Sequence, residues 1–261
     1  TATLDPDGNY IGNVLEWRDV TNEMDSIGQI GAIRKSQGVV ELGLDGTVLD
    51  ANDIYLNTLG YSASELIGKH VSMVLDPKFA GSEAYHTLWN KLVQGGSDAG
   101  QYKRIAKGGR EVWIQASYNP INDMNGKPFK IVNYTIDITE QKLKSADDAG
   151  QLAAINKIQG VIEFDLTGKI LSVNENFANV TGYSEKEIVG NHHSMFVEPV
   201  YRDSQDYKAF WDKLGRGEAD SGQYKRIGKD GKEVWLQASY NPIMDMNGKP
   251  FKVVKYATDI T

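Results

Sequence analysis

Three kinds of side chain recur at paired positions of this sequence and could bind a cofactor or a small ligand. The imidazole of histidine can serve as an axial ligand of haem iron, and tryptophan can stack on an aromatic ring system. The side-chain amide of asparagine both donates and accepts hydrogen bonds. The candidate residues are His70, Trp89, Asn52, Asn119, His192, Trp211, Asn174 and Asn241. Only His70 and His192 are candidate metal ligands, and only if haem is bound.

Each candidate also has a structural interpretation that the sequence leaves open. Asn52 and Asn174 each precede a short helical pattern, where asparagine is a preferred N-cap. The asparagines at 119 and 241 stand before proline, and Asn-Pro often starts a turn. The two histidines could cap helices or lie at the surface, and the two tryptophans could pack in a core.

Other residue types exclude several classes of chemistry. The chain has no cysteine, so a disulfide framework, a thiolate zinc site and a cysteine nucleophile are excluded. No P-loop, Gly-x-Ser-x-Gly, His-Glu-x-x-His or kinase motif occurs in the sequence. We therefore expect a protein that is not an enzyme.

The charge balance bears on possible partners. With 28 Lys and Arg against 35 Asp and Glu, the net charge is −7. Nucleic acid and anionic membranes both favour a basic face, so neither is expected as a partner. No apolar run approaches the roughly 20 residues that span a bilayer, and we expect a cytoplasmic protein without direct membrane contact.

The segments that contain these candidate side chains belong to an internal repeat. Residues 37–139 align with residues 159–261 at an offset of 122 without a gap, and more than half of the paired positions are identical. Each copy has the length of a small domain. The sequence therefore predicts two homologous domains, 37–139 and 159–261.

The opening residues carry a trace of a third copy. Asp7-Gly8 and Asp19-Val20-Thr21 match the turn and the closing motif of both repeats. We therefore expect 1–21 to be the tail of a preceding copy, and the chain to be a fragment of a longer protein.

The segments 22–36 and 140–158 are predicted to be linker helices. In the second linker, Leu152, Ile155 and Ile158 form an apolar stripe.

Within one copy, the pattern alternates between strand and helix signals. Two strand-like runs flank Asp45-Gly46, and short helical segments follow, ending with a longer helix over about 82–93. Three further strand-like runs close the copy. Two strands, several helices and three strands predict an α+β domain with a five-stranded antiparallel sheet.

These segments resemble PAS domains. The resemblance rests on Asn52, Gly60-Tyr61-Ser62 and Glu65-Leu66-Ile67-Gly68, on their counterparts at 174–190, and on the closing Asp-Ile-Thr at 137–139 and 259–261. The run at 102–121 is similar to the cytoplasmic PAS domains of methyl-accepting chemotaxis receptors of the aerotaxis and biofilm-dispersion types.

The resemblance implies a sheet of strand order 2-1-5-4-3, covered by helices on one face, with a pocket between them. It also implies a sensor of oxygen, redox state or a small ligand that signals through the helix after Asp-Ile-Thr. Haem or flavin (FAD) is a possible cofactor. The Arg-His pair of the flavin-binding relatives is replaced by Leu75-Asp76 and Val197-Glu198, and empty pockets are slightly favoured.

The implied partners are a second copy of the chain, a downstream methyl-accepting output domain, and its histidine kinase with a coupling protein. The alternative is an apo PAS module for dimerisation or interaction within a histidine kinase or a cyclic-di-GMP signalling protein.

Overall fold

Each sequence copy folds around an antiparallel sheet of five strands. The computed structural model describes residues 2–13 and 21–261. The chain divides into two units, residues 1–144 and 145–261, with the boundary inside the second linker. We describe each unit by itself.

The first unit carries the first sheet and the helices that cover it. After helix α1 (Thr21–Ser36), its strands are β3 (Gly38–Leu42), β4 (Val48–Ala51), β5 (Asp98–Ile105), β6 (Glu111–Asn122) and β7 (Pro128–Asp137). Its helices between β4 and β5 are α2 (Asp53–Leu59), α3 (Ala63–Leu66), α4 (Pro77–Ala80) and α5 (Glu83–Val93). Two 3-10 turns lie at Val71–Val74 and Lys107–Gly109.

The second unit repeats this order after helix α6 (Thr139–Ile158), whose first residues belong to the first unit. Its strands are β8 (Gly160–Phe164), β9 (Ile170–Val173), β10 (Asp220–Ile227), β11 (Glu233–Met244) and β12 (Pro250–Asp259). Its helices are α7 (Glu175–Thr181), α8 (Glu185–Ile188), α9 (Pro199–Arg202) and α10 (Gln205–Gly215), with 3-10 turns at His193–Phe196 and Lys229–Gly231.

The order of the strands is the same in both sheets. It runs β4-β3-β7-β6-β5 in the first and β9-β8-β12-β11-β10 in the second, which is 2-1-5-4-3 within each copy. Alternate residues of each strand point to opposite faces, and the inward residues of β6, such as Val112 and Ile114, are buried in the core cluster of the unit. The predicted α+β fold and strand order are confirmed.

Local signals explain where the short helices begin and end. The Glu65 carboxylate accepts hydrogen bonds from the backbone N–H and the hydroxyl of Ser62 at the start of α3, both at 2.9 Å. Gly60 ends α2 with φ of 72°, a left-handed conformation that glycine adopts without steric cost. These signals are repeated at Ser184, Glu187 and Gly182.

The first residues form a separate hairpin of β1 (Ala2–Leu4) and β2 (Tyr10–Asn13). In its turn, the Asp5 carboxylate accepts from the N–H groups of Asp7 and Asn9 at 3.0 and 2.8 Å. Asp123 and Asp245 accept in the same way in the turns before β7 and β12. The three turns thus share one hydrogen-bonding pattern, while the assignment of 1–21 to the tail of a preceding copy stays a prediction. The predicted closing motif at Asp19-Val20 lies outside the described residues.

Candidate functional site

Polar side chains lie on the helix-facing side of the first sheet, where apolar residues would be expected. Register places Tyr118 directly opposite Asn133, and both share a buried face with Arg104. Tyr55 reaches the same interior from α2 and is also buried. We call Arg104, Tyr118, Asn133 and Tyr55 the interior polar cluster.

Arg104 is a buried cation without a buried anion. Its side chain is 1% exposed. One terminal nitrogen donates to the carbonyl of Lys103 at 3.0 Å, and the other donates to the Tyr118 hydroxyl. The ring of Tyr102 lies 5.3 Å from its guanidinium carbon. No carboxylate of the described residues pairs with Arg104, although an uncompensated buried charge is costly.

Three further groups of the cluster have unmet hydrogen-bonding capacity. The Nε–H of Arg104, the hydroxyl of Tyr55, and both the amide nitrogen and oxygen of Asn133 are buried without a partner among the described residues. Burial raises the pKa of the Tyr55 hydroxyl, while the nearby Arg104 charge opposes the rise. Buried polar groups of native proteins are nearly always paired. The cluster therefore has the hydrogen-bonding character of a site for a polar ligand.

A surface groove lies beside the cluster. It has a volume of about 590 Å³ and runs between α4, α5 and β5, with Phe79, Leu88 and Tyr102 among its lining residues. The Tyr102 ring also packs against Arg104 and lies 5.5 Å from the Tyr118 ring. Tyr102 therefore both lines the groove and contacts two members of the cluster.

The second unit has a different set of interior groups at the paired positions. Arg226 and Tyr240 are retained and bonded at 3.0 Å, but Lys255 stands where Asn133 does, and Phe177 stands where Tyr55 does. Lys255 is 1% exposed, and its ammonium lies 4.9 Å from the Tyr240 ring centre and 5.2 Å from that of Phe177. Burial, with the Arg226 charge, holds the pKa of Lys255 well below its usual value.

His193 links the polar groups of this second interior. Its Nε2 is 2.9 Å from the Tyr240 hydroxyl, and its Nδ1 is 2.9 Å from the Tyr207 hydroxyl. Because the Tyr240 oxygen accepts from Arg226, its proton is directed to Nε2, and Nδ1–H then donates to Tyr207. Burial and the charges of Arg226 and Lys255 hold the pKa of His193 well below its usual value. The imidazole is therefore neutral at pH 7.

Bulkier residues fill the second interior. Leu42, Val74 and Leu88 of the first unit correspond to Phe164, Phe196 and Phe210, and Val71 corresponds to His193. The Phe210 ring centre lies 4.9 Å from that of Tyr240, and the His193 ring lies 5.4 Å from both Phe164 and Trp211. The first unit is therefore the better candidate for ligand binding.

The structure places Asn52 and Asn174 at helix starts. The Asn52 oxygen accepts from the N–H groups of Val39 and Tyr55 at 2.8 and 3.1 Å. Its amide nitrogen donates to the carbonyls of Arg34 and Gln37 at 2.8 and 2.7 Å. Asn174 makes the equivalent bonds. Both amides are thus fully engaged in joining the preceding helix, the first strand and the next helix.

The histidines proposed as haem ligands also cap short turns. His70 is exposed, and its Nδ1 accepts from the Ser72 N–H at 3.2 Å. In the second unit, His192 bonds the carbonyl of Thr167 at 2.7 Å through Nε2 and uses Nδ1 for Ser194. Neither imidazole faces the interior with a free nitrogen, so these residues do not fit an axial haem ligand.

Within each unit, the remaining tryptophan and asparagine candidates occupy different places. Trp89 donates from Nε1 to the carbonyl of Leu44 at 2.8 Å and so fastens α5 to the end of β3, whereas Trp211 is a buried member of the second core. Asn119 and Asn241 lie on the sheet face away from the helices and donate to nearby serines. In the second unit the structure brings two predicted residues together, since the ring centres of His192 and Trp211 are 6.2 Å apart, whereas Asn241 lies on the other face of the sheet.

Sequence reasoning missed Arg104, Asn133 and Lys255. Arginine in a strand of alternating polarity looks like a residue of the solvated face, yet its side chain lies on the buried face with Tyr102. One signal was available in the sequence: two otherwise similar strands carry asparagine at 133 and lysine at 255. A second pair that differs between the copies is Val71 and His193. Differences between copies inside a shared core mark where their interiors diverge.

Each copy ends in a hydrogen-bonded connection between strand and helix. The Thr139 hydroxyl accepts from the Trp113 N–H at 2.9 Å, and the Asp137 carboxylate accepts from the Thr139 N–H at 2.8 Å. Thr261 and Asp259 repeat these bonds, with Trp235 as the strand donor. The Asp-Ile-Thr motif thereby fastens the end of the last strand to its neighbour.

Comparison with known proteins agrees with this architecture. Residues 35–143 and residues 170–257 each match a family model described as the PAS fold. The chain belongs to the PAS family. It carries two PAS domains in tandem, the first over the sheet of β3–β7 and the second over the sheet of β8–β12.

Two curated relatives share part of their length with these PAS domains. The biofilm dispersion protein BdlA of Pseudomonas aeruginosa is 39% identical over 232 residues, which cover 89% of this chain and 56% of BdlA. The aerotaxis receptor of Escherichia coli is 28% identical over 107 residues, 41% of this chain and 19% of the receptor. The chain thus spans little more than half of BdlA. A PAS domain from Colwellia psychrerythraea is 23% identical, with a TM-score of 0.40 over 44% of this chain and 99% of that domain.

The described residues contain neither a membrane-spanning helix nor a cluster of metal-ligating side chains. None of the helices described is long and apolar enough to cross a membrane. Within the same residues, no group of three or more histidine, aspartate or glutamate side chains could hold a metal ion.

Proposed function

We propose that this chain is the sensory part of a chemoreceptor-type signalling protein, whose first PAS domain binds a small ligand. The observation that carries the proposal is the buried, unpartnered amide of Asn133. Its strand, β7, ends at Asp137, and α6 begins at Thr139. A ligand that completes the hydrogen bonds of Asn133 would stabilise the strand that leads directly into the exit helix.

The connection to the exit helix supports transmission of this change. Since the Thr139 hydroxyl holds the Trp113 N–H of β6, the first turn of α6 is fastened to two neighbouring strands. A change in the pairing of β6 and β7 would shift the equilibrium between the fastened and the released state of this first turn. A ligand shifts such an equilibrium only by its differential affinity for the two states.

The likeness to BdlA and to an aerotaxis receptor supports a wider assignment. We place the chain in the cytoplasm, as a homodimer that acts on a downstream methyl-accepting domain and its histidine kinase and coupling protein. In this assignment the chain is a sensor rather than an enzyme.

Hydrogen exchange of α6 tests the proposal without knowledge of the ligand. Asn133→Leu removes the amide that has no hydrogen-bond partner, whose burial costs about 1–3 kcal/mol. The variant should therefore imitate the state in which a ligand completes the hydrogen bonds of Asn133. We expect slower exchange in the first turns of α6, and loss of this effect in the double variant with Thr139→Val. Asn119→Leu, on the opposite face of the sheet, is the matched control. Unchanged exchange in Asn133→Leu would refute the proposed route.

A second role is favoured for the second PAS domain. Phe164, Phe196 and Phe210 occupy its interior, and its buried histidine has both nitrogens bonded within the protein. We propose that this domain is an apo module for dimerisation or interaction. Small molecules that stabilise the first domain should then leave the melting transition of the second unchanged.

A further inference from the structure

The ligand of the first PAS domain can be specified by the charges and hydrogen-bonding groups that face it. Resting on the function proposed above, we propose that the interior polar cluster binds a short-chain organic acid. The carboxylate would bind Arg104 and Tyr55, and a hydroxyl at the other end of the acid would bind Asn133.

Charge identifies the first end of the ligand. Arg104 is the buried cation of this cluster and has no ion pair with a described residue. Asp98, an acidic side chain that lines the groove, is engaged elsewhere, since it pairs with Lys91 at 2.8 Å and accepts from the Tyr102 hydroxyl. The free Nε–H of Arg104 and the free hydroxyl of Tyr55 are both donors. A carboxylate accepts from both and neutralises the arginine.

The amide of Asn133 identifies the second end. Its nitrogen needs an acceptor and its oxygen needs a donor. A hydroxyl provides both, whereas a methyl group or a second carboxylate leaves the amide oxygen unpaired. Tyr118 lies between the two ends, because its hydroxyl bonds Arg104 while its strand position is opposite Asn133. The acid must therefore carry its hydroxyl some distance from the carboxylate.

The groove provides a route to the cluster. It is lined by Phe79 and Leu88 and reaches the Tyr102 ring, which covers Arg104. In this proposal the acid reaches the interior past the Tyr102 side chain. The second domain places Phe210 at the position of Leu88 and has no hydroxyl at Phe177, so we expect one binding site for each chain.

Calorimetric titration of the intact 261-residue chain tests the proposal with defined probes. Butyrate, 3-hydroxybutyrate and 4-hydroxybutyrate are compared with neutral 1,4-butanediol. We expect the hydroxy acids to bind at one site for each chain, more tightly than butyrate, and the diol not to bind. Arg104→Met should weaken binding by at least about 30-fold, the range for loss of a buried charge partner. Lys103→Met removes a cation from the adjacent, outward-facing position and should leave the affinity unchanged.

Asn133→Leu separates recognition of the two ends. It should abolish the difference between the hydroxy acids and butyrate while leaving butyrate binding intact, and circular dichroism verifies that each variant folds. Affinity unchanged in Arg104→Met, or equal binding of the diol, would overturn the carboxylate assignment. If a neutral compound alone binds and slows exchange in α6, the carboxylate assignment fails and the sensory function stands. If an acid binds but α6 is unaffected, the sensory function fails.

Discussion

Single buried side chains distinguish the two PAS domains more clearly than their folds do. Three pairs of residues occupy matching places in the two domains: Asn133 and Lys255 on strands, Tyr55 and Phe177 on helices, and Val71 and His193 on 3-10 turns. The first domain keeps unmet donors around Arg104, whereas the second connects Arg226 through Tyr240 to His193. The same scaffold thus surrounds its arginine with different polar groups in the two copies, and the Nε–H of Arg226, like that of Arg104, has no partner among the described residues.

The uncompensated charge of Arg104 predicts an unusual effect on stability. Arg104→Met removes a buried cation that has no anionic partner, and the desolvation cost of such an unpaired charge is lost with it. We expect chemical denaturation of the ligand-free chain to show an unchanged or raised free energy of unfolding for the first domain. A loss above about 2 kcal/mol would show that the protein itself satisfies the arginine.

His193 predicts a pH dependence confined to the second domain. Its pKa is lowered in the folded state, so the unfolded chain takes up a proton near pH 6.5 that the folded domain excludes. Stability should therefore fall as the pH drops below about 6.5, by up to about 1.4 kcal/mol for each pH unit. Calorimetric melting between pH 7.5 and 5 measures this slope.

His193→Val, which installs the residue of the first domain, is the test variant. It should lower the slope of the second transition by the contribution of His193, whereas Lys255, whose pKa is also held below its usual value, keeps its own contribution. The transition of the first domain, which has Val71 at this position, is the internal reference. The same slope in the variant would assign the effect to other groups.

At the scale of elements, local chemistry accounts for much of what the sequence predicted. Capping residues and turn glycines located α2, α3 and the hairpins, because their effects are confined to a few neighbouring residues. The sequence also placed the long helix α5 and the three closing strands. It missed the short α4 and the 3-10 turn at Val71–Val74, since single turns carry too few residues for a periodic pattern.

The candidate site could not be predicted in the same way. Its residues come from α2, β5, β6 and β7, and their approach depends on sheet twist and helix packing. The asparagines at 52 and 174 were correctly recognised as possible caps, and the structure shows that this role uses all their hydrogen-bonding groups. Arg104 was not among the predicted site residues, because charged residues are rarely fully buried.

The cap at Asn52 predicts a large loss of stability for a partly exposed side chain. Asn52→Ala removes four hydrogen bonds that join α1, β3 and α2. Caps alone contribute about 0.5–2 kcal/mol, and the unpaired backbone groups add to this. We expect denaturant unfolding to show a loss of about 2–4 kcal/mol in the first domain. Asn119→Ala, whose amide donates only to Ser117, should cost less than about 1 kcal/mol; equal losses would contradict the argument.

For the molecule as a whole, the linker helices leave apolar side chains without cover. Ile158 is 82% exposed and Leu152 is 52% exposed, while Ile155 is 37% exposed beside the outer face of its own sheet. On α1, Met24, Ile27 and Ile30 are exposed in the same way. An isolated helix of this length is marginal in water. A second copy of the chain would bury these residues, as expected for a homodimer of parallel helices.

Substitution on α6 tests this assembly. Ile155→Asp places a charge in the apolar stripe and should weaken dimerisation by at least about tenfold, since loss of one buried apolar side chain costs about 1.5–3 kcal/mol. Ala153→Asp adds the same charge about 200° around the helix from Ile155 and should leave dimerisation unchanged. Sedimentation equilibrium measures both variants against the parent chain, and circular dichroism verifies that the PAS sheets are intact. A parent chain that is monomeric at high concentration would refute the dimer, and equal weakening by both variants would refute the stripe as its interface.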